Sequence, residues 1–577
     1  MENQLSSKKP YQIPWFKQNA SVLVLSTIVL GITSGVGALV LSFFLESIEH
    51  LFLKYGETAK MPAPIATMPL VRLLSVVIGG VIAAVIWWFL RTKTTPTISV
   101  NKALAGGKMP LWQTLLHDFT QIFYVGTGGS VGRELAPREV GAVLAEKWTA
   151  FLSRHHIEPL SSDDRRLLIA SAAGAGFAGI YIAPITGMLF AVEIMYKKYD
   201  LKTIGVSLTM STIAMGIGSL VKGFNPYYLL DNVKFPIGSV LFVIILAPLC
   251  GFAGSWFRKC FQWAEKNQTK TRHILWQLPV VSLLTGSIAY FFPEIMGNGR
   301  SLAQLAIGGS ARYQQIIIVL LVGAGLKAIV TVLTIRSGAS GGTLTPSISI
   351  GGALGAVAGW VLSYWVPGVN IGQGAILGAG TLLAASQQAP LMAMFMLIEI
   401  THLDGSAILP LAIGILIASA VSRLVLQPKT SKKAWHICGV PRKLKQLSGF
   451  YLWLKFQNKL NFRQFKIICL ENIPYVALLL DMVLLTVSFA CLLPHTKFLD
   501  QIYYLIRQKS HLNLGLKWHH GPFKITLLIV KWLLSSAIQA LPKLFRGRRS
   551  IHNSGQMGYY LFKKDDHLEC LIRSLSK

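Results

Sequence analysis

A glycine-rich turn occurs twice in this chain, each time inside apolar sequence. The first copy covers residues 128–141, and the second covers residues 340–352. Their prolines, Pro137 and Pro346, are 209 residues apart, and each turn leads into an apolar segment. Because lipid cannot satisfy free backbone groups, such a turn indicates a helix that is broken inside protein or beside a cavity.

A second pattern repeats downstream of each turn. Pro184 is followed nine residues later by Glu193, and Pro390 is followed nine residues later by Glu399. Two motifs that recur in the same order predict a membrane protein built from two related halves. Hydrophobic segments interrupted by Gly and Pro at matching places in both halves are also the best sequence pointer to a transport site.

The composition is that of a membrane protein. Just over half of the 577 residues are hydrophobic and 14% are charged, whereas soluble domains carry about 25% charged residues. A bilayer requires roughly 20 apolar residues for each span. Six runs are long enough, or nearly so: 21–44, 69–90, 235–252, 278–292, 316–333 and 409–426. Runs broken by Gly and Pro are 122–145, 167–194, 343–365 and 374–400. We predict an all-α protein that crosses the cell membrane several times.

Charge and hydropathy divide the chain. Lys8, Lys9 and Lys17 precede the first span, which favours a cytoplasmic N-terminus. From Lys429 onward, Lys and Arg outnumber Asp and Glu by 24 to 6. The predicted parts are a cytoplasmic N-terminus (1–19), a transmembrane domain (20–428, with halves of about 20–225 and 235–428) and a basic C-terminal extension of unknown fold (429–577).

Three interpretations of the basic extension remain open. It is a cytoplasmic segment solvated against anionic lipid, a specific phosphoinositide or partner site, or a nucleic-acid binder. The last is the weakest, because basic runs such as residues 543–549 are short and no recognition fold is visible. We therefore expect no nucleic-acid partner. The six cysteines form no Cys-x-x-Cys pair, so neither a metal site nor a disulfide framework is predicted.

The repeated turns suit an anion. The first N–H groups of a helix have no intrahelical partners, and its N-terminus carries roughly half a positive charge. Glycine lets an ion approach the backbone closely. Two such turns can aim several N–H groups at one point and bind an anion without a full cationic side chain. The alternative is that these glycines only let helices pack closely.

Glu134 is the most informative single residue. A carboxylate in an apolar region beside a helix N-terminus is costly and usually functional. When ionised it can occupy the anion site, and when protonated it can leave, so it can gate anion movement. The alternative is a structural carboxylate, either a helix cap or one paired with Arg133 or Arg138. Glu139 is a weaker candidate, which pairs with Arg138 or faces a vestibule.

These residues resemble a known family. Gly132, Arg133 and Glu134 are similar to the Gly-Arg-Glu-Gly-Pro motif of the CLC chloride channels and chloride/proton antiporters, and residues 337–346 resemble that family's Gly-x-Phe-x-Pro region. Residues 384–390 and Glu399 look like its late helices. The resemblance covers about residues 20–430. It implies an inverted-repeat helical homodimer in the lipid bilayer that moves chloride, and in antiporters also protons, under voltage or pH gating. It implies no enzymatic activity and no cofactor.

The resemblance also implies roles for individual residues. Glu134 matches the gating glutamate, and the amides of Thr343 and Leu344 match anion-coordinating amides. The anion-binding residues implied in this way are Gly132, Arg133, Leu135, Gly342, Thr343, Leu344 and Thr95, where the Thr95 hydroxyl substitutes for a serine. Ile194 stands at the inner proton-transfer glutamate, and Glu193 beside it is the candidate proton relay.

The sequence departs from the family pattern in several places. Leu135 and Ala136 replace Gly-Pro after the glutamate, and Leu344 replaces a phenylalanine. Simple alignment places Ser431 where a tyrosine contacts the ion. Together with Ile194, these differences favour channel behaviour or slippage over tight antiport. They also leave an alternative open, in which the chain is a non-conducting or regulatory membrane protein with the same fold.

Overall fold

The computed structural model describes residues 20–155, 160–230, 234–308, 314–363 and 369–426, which form helices and the loops between them. The predicted N-terminal segment 1–19 and basic extension 429–577, including Ser431, lie outside the described residues. Within the described ranges, the single strand-like pairing is one bridge between Gly132 and Gly342. The described part of the chain is therefore all-α, as predicted.

Eight α-helices make up the first half, as far as its residues are described. They are α1 (Ala20–Leu53), α2 (Pro69–Thr92), α3 (Val100–Leu104), α4 (Leu111–Gly126), α5 (Leu135–Arg154), α6 (Ser162–Tyr181), α7 (Pro184–Leu189) and α8 (Leu201–Lys222). Helix α7 continues directly into a π-helical segment, Phe190–Tyr196. The first turn motif thus ends at the start of α5, and the first Ala-Pro motif begins α7.

Eight α-helices also make up the described second half. They are α9 (Gly238–Lys266), α10 (Ile274–Phe291), α11 (Arg300–Ile307), α12 (Gln314–Arg336), α13 (Leu344–Leu362), α14 (Ile371–Gln387), α15 (Pro390–Thr401) and α16 (Ile408–Leu426). Short 3₁₀ turns cover Pro293–Ile295 and Gly405–Ala407. The second turn motif therefore ends at the start of α13, in the same way as the first ends at α5.

The two halves repeat in packing as well as in sequence. Helix α1 packs on α6 and α8, and α9 packs on α14 and α16; α5 packs on α6, and α13 on α14. Helix α6 ends at Ile182 (φ 54°) and α14 ends at Gln388 (φ 59°), both in the left-handed conformation. Each of these residues lies two positions before a proline, which cannot continue the preceding helix.

The protein is a multi-pass membrane protein. Helices α1, α2, α8, α9, α10, α12, α13 and α16 are long and apolar enough to cross a bilayer. The sequence predicted six of these spans, described the region of α13 only as a broken run, and did not identify α8. Large apolar side chains such as Leu249 and Trp256, more than half exposed in the isolated chain, are suited to lipid.

Glycines let the helices that carry the turns approach the centre of the protein. A Cβ atom on Gly176 of α6 would lie 2.0 Å from the Pro137 carbonyl oxygen of α5. In the second half, a Cβ atom on Gly355 of α13 would lie 2.1 Å from the Gly374 carbonyl oxygen of α14. Both helix pairs therefore pack backbone against backbone, which positions the starts of α5 and α13.

Candidate functional site

The two glycine-rich turns meet in the interior of the protein. The Gly132 N–H donates to the Gly342 carbonyl over 3.0 Å, and the Gly342 N–H donates to the Gly132 carbonyl over 2.8 Å. This reciprocal pair of hydrogen bonds joins residues 210 positions apart. It brings the first turns of α5 and α13 beside each other, so both positive helix ends act on one small volume.

The Glu134 carboxylate lies at this junction. Glu134 is the N-cap residue of α5 and Thr343 is that of α13, and neither side chain caps its own helix. The backbone N–H of Leu344, in the first turn of α13, instead donates to Glu134 Oε1. Glu134 is completely buried, and its Oε2 has no hydrogen-bond partner among the described residues. A negatively charged group therefore sits where the helix termini favour an anion.

Both turn glycines are required by this carboxylate. A Cβ atom on Gly342 would lie 2.1 Å from Glu134 Oε1, and one on Gly132 would lie 2.3 Å from Oε2. Any larger residue would occupy the space of the carboxylate oxygens. These two glycines thus do more than allow helices to pack, which was the alternative left open by the sequence.

A third loop and a buried lysine support the first turn. The Gly297 N–H donates to the Gly128 carbonyl over 3.0 Å. Lys327 of α12 donates from Nζ to Ser130 Oγ (2.8 Å) and to the carbonyls of Gly297 (2.7 Å) and Ile295 (3.0 Å). The predicted site residues do not include Lys327, although it is the single charge in the apolar run 316–333, a pattern that usually marks a functional position.

Arg133 faces a cavity beside the turns. Its Nη2 donates to the Tyr227 hydroxyl over 2.9 Å, and its Nη1 lies 3.7 Å from Glu57 Oε2. The cavity has a volume of about 600 Å³, and its lining also includes Lys222 and Arg300. The Arg133 guanidinium is therefore engaged by Glu57 and Tyr227, so it is its backbone that belongs to the turn. The sequence did not identify Glu57, Tyr227 or Arg300, which come from separate loops and elements.

Glu193, the candidate proton relay, has both carboxylate oxygens bonded to backbone N–H groups, and its role as a relay stays a prediction. Its two oxygens accept hydrogen bonds from the backbone N–H groups of Leu391 (3.3 Å) and Met392 (2.8 Å), in the first turn of α15. Glu193 is a helix cap in this structure because those N–H groups have no partners within α15. Ile194, beside it, packs against the main hydrophobic core.

The remaining predicted residues are Leu135, Thr343 and Thr95. Leu135 is the first residue of α5. The Thr343 hydroxyl accepts a hydrogen bond of 3.0 Å from Gln387 Nε2. Thr95 is exposed, and its hydroxyl makes no hydrogen bond to either turn within the described ranges. Its role as a substitute for the filter serine therefore stays a prediction.

One cluster in the described part of the chain has the composition of a metal site. His117, Asp118 and Glu139 are buried, and a ligand atom of each lies within 4.8 Å of the others. However, Trp87 Nε1 donates to His117 Nδ1 over 3.2 Å. Neutral histidine then carries its proton on Nε2, which faces Glu139 Oε2 at 3.7 Å. That nitrogen has no lone pair for a metal. Glu139 thus faces His117 and also interacts with Arg138, which is one of the two alternatives that the sequence left open.

Comparisons with known sequences place this site in context. The sequence profile of the family described as "Voltage gated chloride channel" matches residues 79–423, which is more than half of the chain. The voltage-gated ClC-type chloride channel ClcB of Salmonella dublin is 26% identical over 420 residues, covering 70% of this chain and 95% of the relative. A putative chloride channel protein ClcB-like of Ralstonia nicotianae is 29% identical over 398 residues, covering 67% and 91%.

Solved structures share the fold. A slow cyanobacterial Cl⁻/H⁺ antiporter superposes with a TM-score of 0.58 at 23% identity, covering 70% of this chain and 95% of that chain. A CLC-type fluoride/proton antiporter superposes with a TM-score of 0.51 at 19% identity, covering 70% and 96%. The chain therefore shares its fold with these two solved structures.

Proposed function

The chain belongs to the CLC family of voltage-gated chloride channels, and we propose that it transports chloride and similar monovalent anions across a membrane, with Glu134 as the gate. One observation carries this proposal. The Glu134 carboxylate is buried at the meeting point of the two turns and accepts a hydrogen bond from the first turn of α13. It occupies the place where a transported anion would bind.

The donors at the junction favour a monovalent anion. They are backbone N–H groups at two helix ends. Of the buried cations nearby, Lys327 is engaged by three oxygen atoms, and the Arg138 guanidinium interacts with Glu134 but lies over the Phe190 ring. A phosphate group carries extra charge and would call for Arg or Lys side chains directed at it. Fluoride is less suitable than chloride because it is harder to dehydrate. Weak binding by neutral donors also lets chloride leave quickly, as conduction requires.

Gating follows from competition between Glu134 and chloride. The ionised carboxylate is attracted to the positive ends of α5 and α13 and excludes the anion. Protonation removes this attraction, so the neutral side chain leaves and chloride takes its place. Flux is therefore controlled by proton binding to Glu134. Whether the proton also crosses the membrane decides between a channel and a chloride/proton antiporter.

The exposed apolar faces of the helices suit the lipid bilayer, and we propose that the protein acts as a homodimer with one anion pathway in each subunit, as the family implies. No cofactor takes part in this function, because binding and gating use only backbone N–H groups and side chains of the chain.

The test is ion flux from liposomes that contain the purified full chain. Chloride efflux is measured with a chloride electrode, with and without a proton gradient, and proton movement is recorded at the same time. We expect chloride efflux above that of protein-free liposomes and no potassium efflux. Cation flux without anion flux overturns the proposal. Absence of any flux from folded protein supports the alternative, a non-conducting or regulatory protein with the CLC fold.

A further inference from the structure

A polar cluster lies inside the first half, apart from the junction of the two turns. His117 and Asp118 are on α4 and Glu139 is on α5, and their exposed fractions are 7%, 0% and 6%. Polar groups are rarely buried this completely unless they are hydrogen-bonded or functional. Helix capping does not explain them, because all three lie within their helices.

Asp118 has the largest unmet bonding capacity in this cluster. Neither of its carboxylate oxygens has a hydrogen-bond partner among the described residues, although a carboxylate oxygen of Glu139 is within 4.8 Å. Two ionised carboxylates cannot remain this close together away from water. A proton held between Asp118 and Glu139 satisfies both groups, since one becomes a donor to the other.

His117 is oriented as a proton donor to this pair. Trp87 fixes the proton on Nε2 by donating to Nδ1, and Nε2 faces Glu139 Oε2 at 3.7 Å. The same tautomer excludes metal binding through Nε2. The geometry therefore suits a bound proton and not a bound metal ion.

Gln121 lies on α4 and contacts the first turn, which carries Glu134. Gln121 lies one helical turn after Asp118, and its Nε2 donates to the Gly132 carbonyl over 2.9 Å. Gln121 Oε1 and Glu134 Oε2 are both buried without a partner in the described part of the protein, as are the Asp118 oxygens. Unsatisfied polar groups of this kind are where buried water binds, and ordered water carries protons between them.

Few other charges face the cluster. Arg91 at the end of α2 interacts electrostatically with His117, and Arg138 of α5 interacts with both Glu134 and Glu139. Titratable groups on the other packed helices are engaged elsewhere: Glu46 and Glu49 of α1 line the cavity at Arg133, Asp164 of α6 is paired with Lys202, and Lys102 of α3 is exposed.

We propose that His117, Asp118 and Glu139 form a proton-binding site that delivers protons to Glu134 along α4. This inference rests on the proposed gating role of Glu134. The proton shared by Asp118 and Glu139 moves through water positioned by the Gln121 amide to Glu134 Oε2. The emptied pair then takes up one proton from the end of the domain where α4 begins, so one proton enters for each one delivered, while the Nε2–H of His117 stays directed at Glu139.

Conservative variants of the full chain test the proposal in liposomes. Asp118→Asn and Glu139→Gln remove one titratable group each, and His117→Gln keeps an acceptor for Trp87. We expect each to slow proton movement, or to weaken the pH response of chloride flux, by at least about tenfold, while chloride flux itself continues. Glu146→Gln, on α5 but paired with Lys147 and Arg165, is the control and should behave as wild type.

Infrared spectroscopy provides a readout that does not depend on transport or on any one variant being active. At neutral pH, the spectrum of the wild type minus that of Asp118→Asn or Glu139→Gln should contain the band of a protonated carboxyl group, because the bands of all other carboxyl groups cancel, and Glu134→Gln should keep this band. Absence of this band in the wild type overturns the proposal. So does a metal ion that co-purifies with the wild type and is lost in His117→Gln.

The two proposals fail in different ways. If Glu134→Gln removes the pH response but the Asp118 and Glu139 variants keep it unchanged, the relay is wrong and the gate stands. If chloride flows with neither proton movement nor a pH response in the wild type, both the relay and the gate are wrong. If nothing flows, the transport proposal fails, and the infrared band alone decides whether the cluster binds a proton.

Discussion

Glu193 and Glu399 occupy equivalent places in the two halves, and each carboxylate caps the helix that carries the other. Glu399 Oε2 accepts a 2.8 Å hydrogen bond from the Thr186 N–H at the start of α7, and Glu193 Oε2 accepts one of the same length from the Met392 N–H at the start of α15. The N–H groups of a first helical turn have no partners within their own helix. The two halves are therefore joined by reciprocal caps.

The first prediction concerns these caps. Glu399→Gln keeps the size of the side chain but removes the charge that favours a helix N-terminus. We expect it to lower the free energy of unfolding by about 1–2 kcal/mol, seen as a lower melting temperature in detergent. Glu193→Gln should do the same and leave proton movement unchanged. Glu265→Gln, exposed on α9, is the control. A Glu193→Gln variant of normal stability that loses proton coupling would contradict this prediction and support the relay role.

The second prediction concerns the space in the turns. Gly342→Ala places a methyl group where the Glu134 carboxylate lies, 2.1 Å from Oε1. Overpacking of this kind costs about 1–3 kcal/mol. Because chloride would bind where the carboxylate now lies, it meets the same methyl group, and we expect chloride affinity to fall roughly ten- to hundredfold and flux to fall with it. Calorimetric titration with chloride measures the affinity.

Gly216→Ala is the matched control for Gly342→Ala. Gly216 lies in α8, and an added Cβ atom there meets no atom within 4 Å. Because alanine favours a helix more than glycine does, this variant should be neutral or slightly stabilising. Equal chloride affinities of the two variants would show that the turn tolerates a side chain and that the anion binds elsewhere.

The third prediction concerns the gate. Glu134→Gln keeps the size of the side chain and removes its charge, which mimics the protonated state. Chloride flux should persist or rise, its dependence on pH should flatten, and any proton coupling should vanish. Flux measured at several pH values checks this, with Glu146→Gln as control. If pH dependence and coupling both survive, Glu134 is only a structural cap.

The fold was predictable because the repeat and the apolar runs are local features of the sequence. Family membership and the all-α membrane fold are confirmed. The repeated glycines correctly indicated two equivalent turns, since only glycine leaves room for the carboxylate. The sequence could not show which oxygen meets which N–H, because Glu134 and Leu344 are 210 residues apart. The sequence also did not indicate that the Glu193 carboxylate caps α15.

Other parts of the site were hidden for a similar reason. Asp118 and Glu139 lie 21 residues apart on different helices, and only the packing of α4 on α5 brings them together. Lys327 could have been identified from the sequence, because it is the single charge in an apolar run. Glu57 carried none, because a glutamate in a polar loop is ordinary until two arginines from distant elements surround it.

Glu57 bridges two cationic side chains at the cavity. Its Oε1 lies 3.0 Å from Arg300 Nη1 and its Oε2 lies 3.7 Å from Arg133 Nη1, and the Glu57 side chain is only 9% exposed. The Tyr227 hydroxyl donates to Oε1 over 3.3 Å. Burial alone would raise the pKa of Glu57, but Arg133 and Arg300 outweigh it and hold this pKa below its ordinary value.

The last prediction follows from this bridge. Glu57→Gln removes the carboxylate that bridges two buried guanidinium groups, so we expect a loss of about 3–5 kcal/mol of stability at neutral pH. A depressed pKa contributes stability that is complete above the ordinary carboxyl value of about 4.3 and is lost as the pH falls through the depressed value. The difference in melting temperature between wild type and Glu57→Gln should therefore be constant near neutral pH and should narrow in acid.

Asp163→Asn, which breaks an exposed pair with Arg166, is the control, and its melting temperature should differ little from that of the wild type at any pH. If the melting temperature of Glu57→Gln stays equally far below that of the wild type in acid, the Glu57 bridge stabilises the protein by its shape and not by its charge.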